Sequence, residues 1–208
     1  MIYEMRTDRF HSNAHTDEFE RKFSELIAYR DCFSVHGAFW KVIIGPINQV
    51  IHIWPYESIQ NREQVRAAVH KDGKWPPKNV RGMASLDVEI LTPAPFMRPW
   101  GQSQKLGNIY EVRTYYLKAG CIADMIKRWG ECIPFREKLS PLAACWHTDI
   151  GVQHRWISVW PFQSLDERKK IRDEALKNPK WHWPPPTQDL ILRQEIKIMV
   201  PAPFSTMR

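Results

Sequence analysis

The sequence predicts an α+β protein in which one β-α-β-β-α-β unit is built twice, and three observations carry that expectation. The chain repeats itself: Ile2-Tyr3-Glu4-Met5-Arg6-Thr7 returns as Ile109-Tyr110-Glu111-Val112-Arg113-Thr114, and Pro93-Ala94-Pro95-Phe96 returns as Pro201-Ala202-Pro203-Phe204. Between these anchors Gly45, Trp54-Pro55-Tyr56, Ser58, Arg62, Arg66 and Trp75 match Gly151, Trp160-Pro161-Phe162, Ser164, Arg168, Arg172 and Trp181. Self-similarity in register over such a period marks a duplicated structural unit. The hydrophobic period also switches in the same order in each copy, and 208 residues with 43% apolar and 25% charged side chains suit two small globular units. The expected boundaries are 1–97 and 108–208, with the polar, Pro- and Gly-containing stretch 98–107 as linker.

Strand one is expected at 1–7 and 108–114, where Tyr3 and Met5 alternate with Glu4 and Arg6. A helix follows: Phe19, Phe23, Leu26 and Ile27 fall on one face, as do Ile122, Met125, Ile126, Trp129 and Ile133 after Gly120. Strands two (about 36–44 and 142–150) and three (49–54 and 155–160) are separated only by a short turn and form a hairpin. The second helix starts at Ser58 or Ser164. Ser164 and Glu167 have capping-box spacing, whereas Asn61 stands where Ser58 needs the acid, so half the device is expected there. Its sparse apolar positions give one thin inward stripe. A Trp- and Pro-rich connector leads to strand four at 84–92 and 192–200, where Val88 and Ile90 alternate with Asp87 and Glu89. This order is the ferredoxin-like split unit. Two helices cover one sheet face, and the other face must be covered too. Two covalently joined copies are expected to bring their open faces together around a barrel-like interior, which becomes the expected site.

Several classes drop out. No apolar run reaches the length of a membrane span, so no membrane is expected as a partner. The net charge of +7 is scattered and contains no basic block, and the Lys/Arg-Gly-aromatic run of RNA-binding sheets is missing, so no nucleic acid is expected either. No signal-peptide pattern opens the chain, and the four cysteines form no C-x-x-C pair, which fits a reducing cytoplasm. There is no P-loop, G-x-G-x-x-G, H-E-x-x-H or G-x-S-x-G, and no cofactor is expected.

The I-Y-E-x-R-T opening, the Gly45–Tyr56 segment G-P-I-N-Q-V-I-H-I-W-P-Y and the terminal P-A-P-F resemble NIPSNAP domains, within the wider dimeric α/β-barrel superfamily. The resemblance runs through both halves and implies a pseudo-dimeric α/β barrel. It implies no single chemistry: the superfamily includes cofactor-free monooxygenases, isomerases and cyclases, heme-degrading enzymes and binding proteins. Trp75–Pro77 and Trp181–Pro186 depart from its pattern, standing where helix usually continues. They are read as a connector that packs on the sheet edge, rims the barrel mouth or meets another protomer.

The candidate site collects Glu4, Arg6, Val50, His52, Trp54, Asp87 and Glu89 from the first half, and Glu111, Arg113, Trp156, Ser158, Trp160, Glu195 and Lys197 from the second. Tryptophans with a few charges suit a planar aromatic acid or phenol, held by Arg6, Arg113, Trp54, Trp156 and Trp160. His52, whose counterpart is Ser158, is the candidate base at neutral pH, or else a histidine hydrogen-bonded in a packed interior. The Glu/Arg pairs are either anion clamps or a structural ion network. Cys145, His147 and Asp149 alternate on one strand, which is weak support for a metal, and none is assigned. Trp156, Trp183 and His52 set the halves apart. The reading is a protein binding a small aromatic or polyketide-like acid, with proton-transfer, isomerase or cofactor-independent monooxygenase chemistry. The alternative is a non-catalytic binding or scaffold protein whose barrel is filled by its own side chains. Pairing of whole pseudo-dimers into a homo-oligomer is left open.

Overall fold

The computed structural model describes residues 1–100, 103–177 and 187–208; Trp181 and Trp183 lie outside the described residues. The elements follow the expected order: β1 (Ile2–Phe10), α1 (Asn13–Asp31), β2 (Ala38–Ile44), β3 (Gln49–Tyr56), α2 (Ile59–His70) and β4 (Met83–Pro93), then β5 (Ile109–Leu117), α3 (Ile122–Arg136), β6 (Ala144–Ile150), β7 (Arg155–Phe162), α4 (Leu165–Lys177) and β8 (Ile191–Pro201). β1 continues three residues past its expected end. Its alternation carries on through Asp8 to Phe10, whose ring meets Phe19 of α1 at 5.1 Å, so the strand gains apolar cover beyond residue 7.

All eight strands pair antiparallel in one closed barrel, in the order β1-β3-β2-β8-β5-β7-β6-β4. The two units join at the β2–β8 and β4–β6 seams, so each unit's edge strands are paired by the other copy and no edge is left open. Side chains fill the interior except toward one mouth, where a cleft of about 610 Å³ reaches Met5, Ile51, Val112 and Ile157. Tyr3, Met5, Trp40, Ile51, Ile53, Tyr110, Val112, Trp146, Ile157, Val159 and Met199 all pack inside the barrel. Trp40 stacks on Tyr110 at 5.2 Å and Tyr3 meets Trp146 at 5.5 Å, both contacts crossing between the halves.

Trp100, in the stretch expected to be a polar linker, is part of this core. Its indole N–H donates to the Ala143 carbonyl at 2.8 Å, and its ring lies edge-on to Trp146 at 5.2 Å. Gly37 makes room for it, since a Cβ there would come within 2.5 Å of the Trp100 ring. α2 and α4 each bury a single residue, Val69 and Ala175, as the thin stripe implied. The second helix is capped in both copies. Asn61 N–H donates to Ser58 Oγ at 3.1 Å, and the Asn61 amide oxygen accepts from the Glu57 N–H at 3.3 Å. Asn61 therefore performs the reciprocal half that was expected to be missing.

Candidate functional site

Strand register divides the expected site between two faces. Met5 stands opposite Glu89 and Thr7 opposite Asp87, whereas Glu4 stands opposite Trp54 and Arg6 opposite His52. Successive side chains alternate faces, so the acids of β4 point into the barrel and the Glu4–His52 set points out, toward the helices. The same holds in the second half, where Arg113 faces Ser158 and Val112 faces Lys197. The expectation of one interior site for all these residues is therefore corrected. Asp87, Glu89, Glu195 and Lys197 line a cleft at one barrel mouth, in which Arg155 is bonded to Glu89 and Lys197 donates to Gln49 at 3.1 Å. His52, Arg6 and Trp54 line a different cavity, outside the barrel wall.

That cavity holds about 390 Å³ between the first-half sheet and its helices. Phe19 and Phe23 of α1 and Trp54 of β3 supply apolar walls, and the connector closes one side with Trp75, Pro76 and Pro77. Trp75 meets Phe23 edge-on at 5.0 Å, so the connector packs across the cleft and forms part of its wall.

Arginines dominate the polar wall. Glu4 is buried and accepts from Arg6 at 3.3 Å, is bonded to Arg62, and lies 3.7 Å from Arg66. Its charge is answered three times over. Arg30 continues the buried stripe of α1 one turn beyond Ile27. It donates to Tyr56 Oη at 2.9 Å and to the Ser34 carbonyl at 3.1 Å, and its guanidinium lies 4.1 Å over Trp54. Burial lowers its pKa and, among the described residues, no carboxylate bonds to it. A cleft with this excess of cation and this much ring surface suits an organic anion.

His52 sits between two partners. Trp54 Nε1–H donates to His52 Nδ1 at 2.7 Å, and His52 Nε2 lies 2.9 Å from Asp8 Oδ2. An indole nitrogen can only donate, so Nδ1 must accept, and Nε2 carries the proton and donates to Asp8. Burial is the main cause that pulls the His52 pKa down, against the pull of Asp8. Protonating Nδ1 would set two donors head to head. The only lone pair of the ring is taken, which leaves His52 without the free nitrogen that a base in contact with ligand needs.

The second half keeps the frame and loses the space. Arg113, Arg168 and Arg172 surround Glu111 as their counterparts surround Glu4. Tyr115 stands where Asp8 does and accepts from Arg113 Nε at 2.8 Å; burial is the main cause that pushes its pKa up to about 12. Trp156 replaces Val50 and packs 5.4 Å from Trp129, which replaces Phe23. The space left holds about 20 Å³. Arg113, Trp156 and Trp160 are thus brought together with one another and not with His52. Cys145 points outward beneath α3 in the core with Trp129 and Trp156, and burial raises its thiol pKa well above the ordinary value. Asp149 is exposed, and no metal-ligating cluster occurs among the described residues.

Asp8, Arg30 and the aromatic pair on α1 were not anticipated. Arg30 repeats as Arg136, which the comparison of the halves contains, and Asp8 lies one residue beyond the expected end of β1.

The NIPSNAP family model matches residues 3–98 and again 110–206. This chain belongs to the NIPSNAP family. It is 29% identical over 189 residues to mouse NipSnap homolog 3B, covering 86% of this chain and 74% of that protein. It is 28% identical to a Dictyostelium discoideum NipSnap homolog, where the match covers 68% of this chain and 63% of the relative's length. Among solved structures, a Lactobacillus acidophilus protein described as a putative monooxygenase superposes with a TM-score of 0.65 at 12% identity, over 96% of this chain and 93% of its own. At that identity the likeness is one of fold. No helix among the described residues of this NIPSNAP chain is long and apolar enough to cross a membrane.

Proposed function

We propose that this NIPSNAP protein binds a small aromatic or polyketide-like acid in the first-half cleft; proton transfer to or from it, the step shared by isomerisation and cofactor-independent oxygenation, would need a base other than His52, whose ring nitrogens are both engaged. The observation that carries the reading is the cavity of about 390 Å³, walled by Phe19, Phe23, Trp54 and Trp75 and lined by Arg6, Arg30 and Arg66. Rings offer stacking surface, and the arginines exceed the acids that could neutralise them. A non-catalytic binding protein is the second reading, and the double engagement of His52 favours it.

Thermal-shift titration with planar acids and phenols tests the reading. A saturable rise in Tm with one site per chain is expected, and Val50→Trp, which imports the residue that fills the second half, should abolish it. No shift from any such compound ends the reading. Arg6→Ala should weaken binding while the chain stays folded; loss of both would make Arg6 a structural partner of Glu4 and nothing more.

A further inference from the structure

Among the charged groups lining the first-half cleft, Asp8 alone is an acid without a cation bonded to it. Its carboxylate is buried, and its one hydrogen-bond partner among the described residues is His52, through Oδ2. A buried carboxylate needs more than one donor to offset its desolvation. Its cross-strand neighbours Val50 and Leu86 cannot supply one, and Arg6, two residues along the same face, donates to Glu4. The remaining acceptor capacity of Asp8 is therefore available to whatever fills the cavity.

The position of Asp8 sets a length. Arg30 lies over Trp54, and Trp54 stands opposite Glu4, four residues along β1 from Asp8. Four residues of strand span roughly 13 Å. Two hydrogen bonds of about 2.8 Å at the ends leave roughly 7 Å for the ligand between its end oxygens, the scale of two fused rings.

We propose, building on the anion-binding reading above, that Asp8 is the specificity-determining acceptor of the cleft, selecting a two-ring organic acid that carries a hydroxyl at the end opposite its carboxylate. The carboxylate pairs with Arg30 and Arg6, the hydroxyl donates to Asp8, and His52 and Trp54 are positioning residues. Trp54 locks the His52 tautomer, and the Nε2–H so fixed holds Asp8 Oδ2 and leaves the rest of the carboxylate to the ligand. The groups that bear on His52 are Asp8, Arg6 and Glu4 from β1, Arg30 from α1, and Arg66 and His70 from α2 across the cavity, with the Phe39 ring stacked on it and the Phe23 ring meeting it edge-on.

The test compares 6-hydroxy-2-naphthoate with 2-naphthoate by calorimetric titration of the full chain. The wild type should bind the hydroxylated probe at least about tenfold more tightly, because a group built to accept a hydrogen bond is left unpaired by the analogue that lacks it. Asp8→Asn, which keeps an acceptor, should retain part of the preference. Asp8→Leu should lose it while still binding 2-naphthoate. Trp54→Phe keeps a ring but frees Nδ1, so His52 becomes able to protonate, and the hydroxyl preference should then vary across the histidine pH range where the wild type is flat. Imidazole nitrogen NMR should show the Nε2–H tautomer in the wild type. Equal affinity of the wild type for the two probes overturns the proposal and leaves the anion-binding reading standing; so does a preference that survives Asp8→Leu, or an Nδ1–H tautomer. Failure of the wild type to bind either probe overturns the anion-binding reading and this proposal with it.

Discussion

The two halves keep the same charges and differ in what occupies the space beside them. Glu4 with Arg6, Arg62 and Arg66 corresponds residue for residue to Glu111 with Arg113, Arg168 and Arg172, and Arg30 over Trp54 corresponds to Arg136 over Trp160. One frame encloses about 390 Å³ and the other about 20 Å³. An ion network that persists where no ligand can enter is first a device of the fold: it fastens the second helix of each unit to its first strand. The residues that separate an open cleft from a filled one include Asp8 against Tyr115, Phe23 against Trp129, Val50 against Trp156, His52 against Ser158 and Tyr56 against Phe162.

The largest expected effect tests the shared frame. Glu111 is fully buried and one of its cations, Arg113, is 4% exposed, whereas Arg6, the counterpart of Arg113 beside Glu4, is 21% exposed. Glu111→Ala leaves the buried Arg113 without its acid and should cost about 3–5 kcal/mol, with Glu4→Ala costing less because water reaches Arg6. Urea denaturation measures both, and equal losses would mean that the two networks are equally exposed in solution. Burial alone would raise the Glu111 pKa, but Arg113 and Arg172 outweigh it and hold it below the ordinary carboxylate range. A carboxylate depressed in the folded state contributes stability that is full above its unfolded pKa and lost as pH falls through its folded one. The acid limb of unfolding should therefore be shallower in Glu111→Ala than in the wild type.

The next effect concerns space. Trp156→Val imports the first-half residue, opens a cavity and should cost about 2–4 kcal/mol. Combined with Tyr115→Asp and Ser158→His, it should raise the number of sites for planar acids from one per chain to two by calorimetry. A stoichiometry that stays at one would show that the remaining differences, Trp129 and Phe162 among them, are enough to keep the second cleft filled.

Much of this was legible in the repeat. Matching residues fixed element order, the hairpins and the ferredoxin-like units, because alternation and helical spacing are local signals. The face of each strand was less accessible. Glu89 and Glu4 are both polar residues on strands that alternate, yet the register of β1 against β4 puts them on opposite sides of the barrel wall. Hydrophobicity could not arbitrate, since both sides of the wall are buried: Tyr3 lies in the barrel and Trp54 under α1. Trp100 was hidden for a related reason, sitting in a polar, Pro- and Gly-containing stretch that local composition marks as surface. Asp8 was hidden by its sequence, since Thr7-Asp8-Arg9 has no apolar residue to mark the strand as continuing.

The smallest predicted difference lies at the helix caps, where the halves achieve one geometry with different chemistry. Ser58 and Ser164 each accept from the backbone N–H three residues on, at 3.1 Å in both copies, so either serine replaced by alanine should cost about 1 kcal/mol. The reciprocal bonds differ: the neutral amide of Asn61 accepts from Glu57 N–H, while the carboxylate of Glu167 accepts from Gln163 N–H. A negative group in the first turn also interacts with the positive end of the helix dipole, which the amide does not. Glu167→Ala should therefore cost a few tenths of a kcal/mol more than Asn61→Ala at low ionic strength. Because both sites are partly open to solvent, salt screens the charge at Glu167 and leaves the amide unaffected. The gap between the two variants, read from Tm at about 0.01 M and about 1 M salt, should narrow; a gap independent of salt would assign the difference to hydrogen-bond geometry instead of charge.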